Sequence, residues 1–342
     1  MNWKILIVGL FYLLILNSCV GYKEFAIEVF KPAEFSFTAD AKKIVLISRN
    51  LKYKNDTLQN YYVSNNSLMK DKSKINMDSL AISICMDSLS SRLNSQGHFD
   101  RIKILPFNMF PRIRVNEIRP AKIDWYKSIA EKTDADYLIL LDMFSCFYSV
   151  NSADYSPEAK VITSNIWSVY NSKNQKIIDR FSQIDTLYWN QFDETGNYKK
   201  VNIPDKKNAI TLAATAIADN YSKHILPSWA KVIRTLMLCD NPDFQKAVKL
   251  AQANQWEQAI SIWQGFSESN SKLKRASALY NLAVACEMNG DIDKAIEFTD
   301  EAAKVSSGLF LGYVNEQVRK YSVVLYQRKY EIAKLNRYYE AN

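Results

Sequence analysis

Apolar positions recur along this chain in two rhythms. Ala41–Ser48 reads AKKIVLIS, a basic lead into an aliphatic run, and predicts a buried strand. After a polar stretch rich in Asn and Tyr, Ile82, Cys85, Met86, Leu89 and Leu93 recur at i, i+3, i+4, i+7 and i+11 and predict an amphipathic helix. Gly97 follows, where a helix end takes a left-handed residue. RIKILPF predicts a short strand stopped by Pro106, a second helix is expected over 122–132, and DADYLILLDMF predicts another apolar strand. AKVITSNIWSVY and KIIDRFSQIDTLYW, separated by NSKNQ, then predict a hairpin, with Val161, Thr163, Trp167 and Val169 on one face.

Beyond residue 205 the rhythm becomes helical. Ile210, Ala214, Ile217, Tyr221 and Ile225 form one stripe. Pro227-Ser228-Trp229 breaks it, and Ser228 suits the N-cap of a further helix carrying Val232, Ile233 and Leu236. The predicted fold class is an α+β or α/β domain with a mixed sheet over about 25–205, then an all-α domain over 206–342.

The first residues follow a different logic. Lys4 precedes twelve residues, Ile5 to Leu16, with one Gly and no charge. A bilayer-spanning helix needs about 20 apolar residues, whereas a basic start with a shorter apolar core has the form of a secretory signal. Leu16-Asn17-Ser18-Cys19 resembles the lipobox of bacterial lipoproteins. The resemblance implies removal of residues 1–18, acyl chains on the Cys19 sulfur and a tether over 19–24. Each buried methylene contributes about 0.8 kcal/mol, and more than one chain is needed for firm anchoring. Val20 rather than Asp follows the cysteine; by resemblance to envelope sorting rules this implies the outer membrane, facing the periplasm.

LYNLAVACEMNGDIDKAIEFTDEAAK (279–304) resembles a tetratricopeptide repeat, with Ala283 on its first helix, Gly290 in the turn, and Ala295 and Ala302 seven apart on its second. The repeat is expected over 276–309, a weaker copy over 240–273 and a capping helix over 310–340. The weaker copy keeps Ala259 and Trp263 in the Ala-x3-aromatic spacing, but Asp243 and Lys246 stand where apolar residues are usual. The register of such repeats implies a partner groove lined by Phe244, Val248, Tyr280, Val284, Glu287 and Met288. In the first domain, the K-K-I-V-L opening, the helix ending at Gly97 and Ala135-Asp136-Tyr137-Leu138 resemble the curli-secretion and synthase-activator lipoproteins. The whole order resembles a Bacteroidota outer-membrane lipoprotein family to which no activity is attached.

Composition narrows the function. The 342 residues are 48% hydrophobic and carry a formal charge of +8, but the basic residues are dispersed rather than gathered into the stripe that nucleic acid requires. Apart from Cys19, the cysteines Cys85, Cys146, Cys239 and Cys286 have no close spacing and read as buried thiols. His98 and His224 are the only histidines, and no metal-ligand, nucleophile-elbow or phosphate-loop motif is present. Asp134 and Asp136 could be drawn as paired carboxylates, but before an apolar strand they read as a turn and a solvated edge. No catalytic residue, metal ligand or cofactor is expected. Tyr188 and Trp189, with Tyr61, Tyr62, Tyr148 and Tyr155, could stack on sugar rings or simply fill a sheet. The expected role is a non-enzymatic envelope lipoprotein, held to the membrane through Cys19, that binds an envelope protein. The alternative is an accessory that binds glycan or peptidoglycan.

Overall fold

The computed structural model describes residues 21–38, 40–56, 61–70, 72, 77–151, 157–190, 197, 202–307 and 312–340. The chain forms two compact units: Ala33–Leu226, and a second made of the segment up to Pro32 together with Pro227–Glu340. The expected division after residue 205 is therefore displaced to Leu226, and the second unit also recruits residues from the amino-terminal side.

In the first unit β2 (Lys43–Tyr53) pairs in parallel with β5 (Arg101–Ile104), β6 (Ile113–Val115) and β7 (Tyr137–Asn151). On its other edge β7 pairs antiparallel with β8 (Glu158–Asn171), which pairs with β9 (Lys176–Trp189). Strand alternation divides the core in two. Ile44, Leu46, Ile139 and Leu141 lie under α1 (Met77–Asn94) and α3 (Lys206–Ile225). Val45, Ile47, Leu138 and Leu140 lie under α2 (Ile123–Thr133).

The helix ends follow local chemistry. Gly97 adopts φ +66° and donates its N–H to Asn94 O at 3.1 Å. Asp134, left-handed at φ 52°, ends α2, and Asp136 accepts the N–H groups of Lys42 and Lys43, both at 2.8 Å, which ties the starts of β7 and β2 together. The stripe Ile210–Ile225 is buried as expected, but against the sheet, with Tyr221 stacked on Trp167 at 4.2 Å. This contact is why α3 belongs with the sheet and not with the helices that follow it.

A second hairpin, β3 (Tyr61–Ser64) with β4 (Ser67–Lys70), lies in the polar stretch. Its turn residues Asn65 and Asn66 both have positive φ, the geometry that two-residue hairpin turns require.

The second unit corrects one prediction outright. Ser228–Met237 is not a helix but strand β10, antiparallel to β1 (Tyr22–Lys31) through ten residue pairs from Tyr22↔Met237 to Lys31↔Ser228. The expected tether thus ends within a strand. Alternation explains both: Phe25, Ile27 and Val29 share a face with Ala230, Val232, Arg234 and Leu236, and this face is turned inward.

Helices α4 (Pro242–Gln252), α5 (Trp256–Phe266), α6 (Lys272–Met288), α7 (Ile292–Ser306) and α8 (Gly312–Glu340) follow. Asp243 does not prevent α4: Asn241 caps it by accepting the Phe244 N–H at 2.9 Å, Pro242 opens it, and an acid in the first turn favours the helix dipole. Gly290 turns at φ +81°, with the Asp291 N–H bonded to Cys286 O at 2.9 Å. Ala247, Ala259, Ala283, Ala295 and Ala302 are buried, so these helices approach closely.

Candidate functional site: the crevice where two parallel strands part

From β2 the chain crosses to β5 on one side and then to β7 on the other. The carboxyl ends of β2 and β7 therefore form the switch point at which open α/β sheets place ligands. Here the two strands separate. Their register shifts between Ser48 and Leu51, β7 carries an irregularity between Leu141 and Met143, and it then runs on to pair with β3 at Ser149 and Val150.

Charged groups fill the fork. Lys52, 1% exposed, places its Nζ 2.9 Å from Asp78 Oδ2 on α1 and donates to Ser145 Oγ at 3.2 Å. Ser145 donates to Asp56 Oδ2 at 2.6 Å, and Cys146 Sγ lies 3.7 Å from Asp78 Oδ1. Nearby, Arg49 Nη1 donates to Asp142 Oδ1 at 2.9 Å, and Ser168 donates to Asp142 Oδ2 at 2.6 Å. Burial raises the Asp142 carboxyl above the usual aspartate range, against the pull of Arg49. These charges are spent on one another, as buried charges must be.

Outside the fork, a crevice of about 270 Å³ is walled by Tyr53, Met143, Phe147 and Ile162, with Ser145 and Asp56 as its polar side. It suits an apolar side chain accompanied by a hydrogen-bond donor. Burial pushes the Cys146 thiol up, and Asp78 pushes it further against the pull of Lys52, which disfavours covalent chemistry at sulfur. The same face of the sheet continues bare across β8 and β9, where Ile184 is 76% exposed beside exposed Ile162 and Tyr188. Among the described residues, β9 pairs only with β8, so its outer edge is unpaired.

The predicted site residues are dispersed. Cys19 and Tyr155 lie outside the described residues. Tyr188 and Trp189 point to opposite faces of β9. Tyr188 is exposed and bonded to Glu158, whereas Trp189 joins a cluster with Tyr148 and Val161, so the two cannot stack on one sugar.

The residues implied to line a repeat groove are buried, Met288 half so. The space is filled from within the same unit. Arg234 of β10 grips Glu287 through Nε at 2.7 Å and Nη2 at 2.6 Å, and Tyr321 of α8 donates to Glu287 Oε2 at 2.7 Å. Tyr280 Oη meets Thr235 Oγ1 at 2.7 Å, and burial pushes its phenol up to about 12. The Asn281 amide accepts the Met237 N–H at 2.8 Å and donates to Met237 O at 3.0 Å, taking the place of a further strand.

Of the remaining candidates, Asp134 is exposed and paired with Lys43 at 2.6 Å, and Asp136 is engaged by backbone. His224 bridges Glu34 at 2.9 Å and Asp179 at 3.0 Å and stacks on Phe181. Cys85, Cys146, Cys239 and Cys286 are free thiols. Among the described residues, no cluster of three or more His, Cys, Asp or Glu could hold a metal ion. No described helix is long and apolar enough to cross a membrane.

The sequence carried a signal for the fork that motif searching passes over. Asp142 is a lone charge inside YLILLDMF, and Arg49 and Lys52 follow the aliphatic run Ile44–Ile47 in the same strand. A charge in an apolar strand needs a buried partner.

These features define a mixed α/β protein with a carboxyl-end crevice, followed by a helical unit closed by a β-ribbon. The chain belongs to the family described as Domain of unknown function (DUF8603), whose family model matches residues 41–236. A second, described as Domain of unknown function (DUF6340), matches residues 245–336. No curated protein matches the chain. Solved structures with some likeness include protein XCC0632 from Xanthomonas campestris, at 10% identity and TM-score 0.27, covering 56% of this chain and 90% of that one. Lipoprotein GNA1162 from Neisseria meningitidis has 8% identity and TM-score 0.24, covering 53% and 98% respectively. The LpoB C-terminal domain from Salmonella enterica has 11% identity and TM-score 0.13, covering 42% and 83%. Likeness at these scores carries no argument about function.

Proposed function

We propose that this is a lipid-anchored protein of the bacterial cell envelope, held to the outer membrane on its periplasmic side, that acts by binding a partner protein rather than by transforming a substrate. The location rests on Leu16-Asn17-Ser18-Cys19. The binding reading rests on one observation: the bare half of the sheet, where the crevice, Ile162, Ile184 and the unpaired edge of β9 adjoin. An unpaired edge offers a row of N–H and C=O groups to an incoming strand, and the pockets beside it select its side chains. On this reading Phe244, Val248, Tyr280, Val284 and Glu287 hold the helical unit together, and the docking face lies on the sheet.

A photo-crosslinking residue at Ser182 on β9 should capture one envelope protein in cells, and Ile184→Lys should abolish capture without loss of folded protein. The same residue placed at exposed Glu297 on α7 should capture nothing. Equal capture from both positions would defeat the reading. Retention on isolated sacculi that depends on Tyr188 would favour the glycan alternative.

A further inference from the structure

We infer that the outer face of the β1–β10 ribbon lies against the lipid surface to which the chain is anchored. This rests on acylation of Cys19, proposed above, and adds an orientation that acylation alone does not require.

Covalent reach holds the ribbon close to the anchor. Two peptide units separate Cys19 from Gly21, and consecutive Cα atoms are about 3.8 Å apart. The Gly21 Cα is therefore within about 8 Å of the residue that carries the acyl chains. Gly21 is already fixed to the second unit, its carbonyl accepting the Leu238 N–H at 2.8 Å, and β1 starts at the next residue. Only Val20 lies between the anchored residue and Gly21 in the sequence.

The ribbon also exposes large apolar side chains on one face. Directly paired residues of antiparallel strands project to the same side. Tyr22, Ala26 and Phe30 thus share a face with Ile233 and Trp229, opposite the face that buries Ile27 and Val29. On this outer face Trp229 is 64% exposed and Ile233 58% exposed. Phe30 packs against Trp229 at 5.2 Å and against exposed Tyr339 at 6.3 Å. Tyr22 marks the anchored end of the ribbon and Trp229 the far end, eight residues on, which at about 3.3 Å per residue is about 26 Å. An upright ribbon would leave Trp229 and Ile233 in water. A ribbon lying flat places them, with Tyr22 and Tyr339, at headgroup level, where Trp and Tyr are enriched.

The charges on this face specify the kind of contact. Glu24 and Glu28 outnumber Lys231 on this face, and Thr235, opposite Glu24, is taken up by Tyr280, so the face offers no net positive charge to anionic lipid. The contact is made by apolar and aromatic side chains, and with two carboxylates to one ammonium on this face it suits zwitterionic headgroups better than anionic ones.

The test uses the full mature lipoprotein in vesicles of phosphatidylcholine and phosphatidylethanolamine, with brominated acyl chains as a fluorescence quencher. Mass spectrometry of Cys19 and vesicle flotation are read on the same sample. The expected result is acylated, floating protein whose tryptophan emission is quenched. That quenching should be nearly abolished in Trp229→Phe and sharply reduced in Ile233→Ser, both with unchanged circular dichroism. It should persist in high salt. Acylated, floating protein with no quenching, or with equal quenching in Trp229→Phe, would overturn the orientation and leave the anchor standing. Quenching found only with anionic lipid and removed by salt would also overturn it. Unmodified Cys19 would remove the anchor and this inference together.

Discussion

Replacing Arg234 by Met tests whether β10 closes the helical unit. The substitution keeps the aliphatic stem and removes the guanidinium, leaving the Glu287 carboxylate, 2% exposed, with only the Tyr321 hydroxyl at 2.7 Å. Removing one partner of a buried ion pair costs about 3–5 kcal/mol. Counting the two charge-assisted hydrogen bonds at about 1.5–3 kcal/mol each gives a similar figure. Adding Glu287→Leu removes the stranded charge, and only the Tyr321 hydroxyl is then left without its acceptor, a cost of about 1–3 kcal/mol. The double variant should therefore be more stable than Arg234→Met alone.

Hydrogen exchange followed by mass spectrometry reads this unit by itself. Protection of peptides from β10 and α6 should fall about a hundredfold or more in Arg234→Met, since about 1.4 kcal/mol corresponds to a factor of ten. Peptides from β2 and β7 should be unaffected, and the double variant should regain much of the protection. Wild-type protection of β10 and α6 in the single variant would refute the reasoning. It would mean that the pair is hydrated and that β10 leaves the repeat groove open.

Further outcomes follow from the same geometry. Lys52→Met leaves Asp78 in the sheet fork with Arg112, at 3.8 Å, as its remaining cation and should cost up to about 3 kcal/mol, read as a lower urea midpoint for the first unit; an unchanged midpoint would mean that Arg112 or water replaces the lysine. Asn281→Leu leaves the backbone N–H and C=O of Met237 without partners and should cost about 1–3 kcal/mol for each, read as faster exchange at the end of β10. The Asp142 carboxyl has a raised value in the folded protein, so the folded state holds this proton more tightly than the unfolded chain. Its contribution to stability is fully present below the unfolded aspartate value of about 3.9 and is lost as pH rises through the folded value. The stability difference between wild type and Asp142→Asn should therefore vary with pH between the unfolded and the raised folded value, falling for wild type as pH rises. A difference that grows in favour of wild type as pH rises would contradict the direction of the shift.

Much of the architecture was legible from local pattern. The buried stripe of α1, the ends at Gly97 and Gly290, the β8–β9 hairpin and the helix pairs from α4 to α7 each follow from periodicity and a few turn residues. The hairpin turning at Asn65-Asn66 and strand β1 carried comparable signals, two residues suited to positive φ and an alternation of Phe25, Ile27 and Val29. In Ser228–Met237 the same alternation competed with a capping serine that in fact begins a strand, and the alternation decided the outcome.

The sequence by itself determined which faces are apolar, where elements stop, and, through Leu16–Cys19, where the chain is expected to be held. Only the tertiary structure decided what covers those faces. Periodicity shows that Ile210–Ile225 has an apolar stripe but not that Trp167 lies beneath it, and it cannot pair Tyr22 with Met237 across most of the chain. Tyr280 and Glu287 look the same from sequence whether a groove is empty or filled; the hydroxyl of Thr235 and the guanidinium of Arg234 fill it. The physical reason is that burial is a relation between segments brought together by folding, whereas a residue pattern records only one side of that relation.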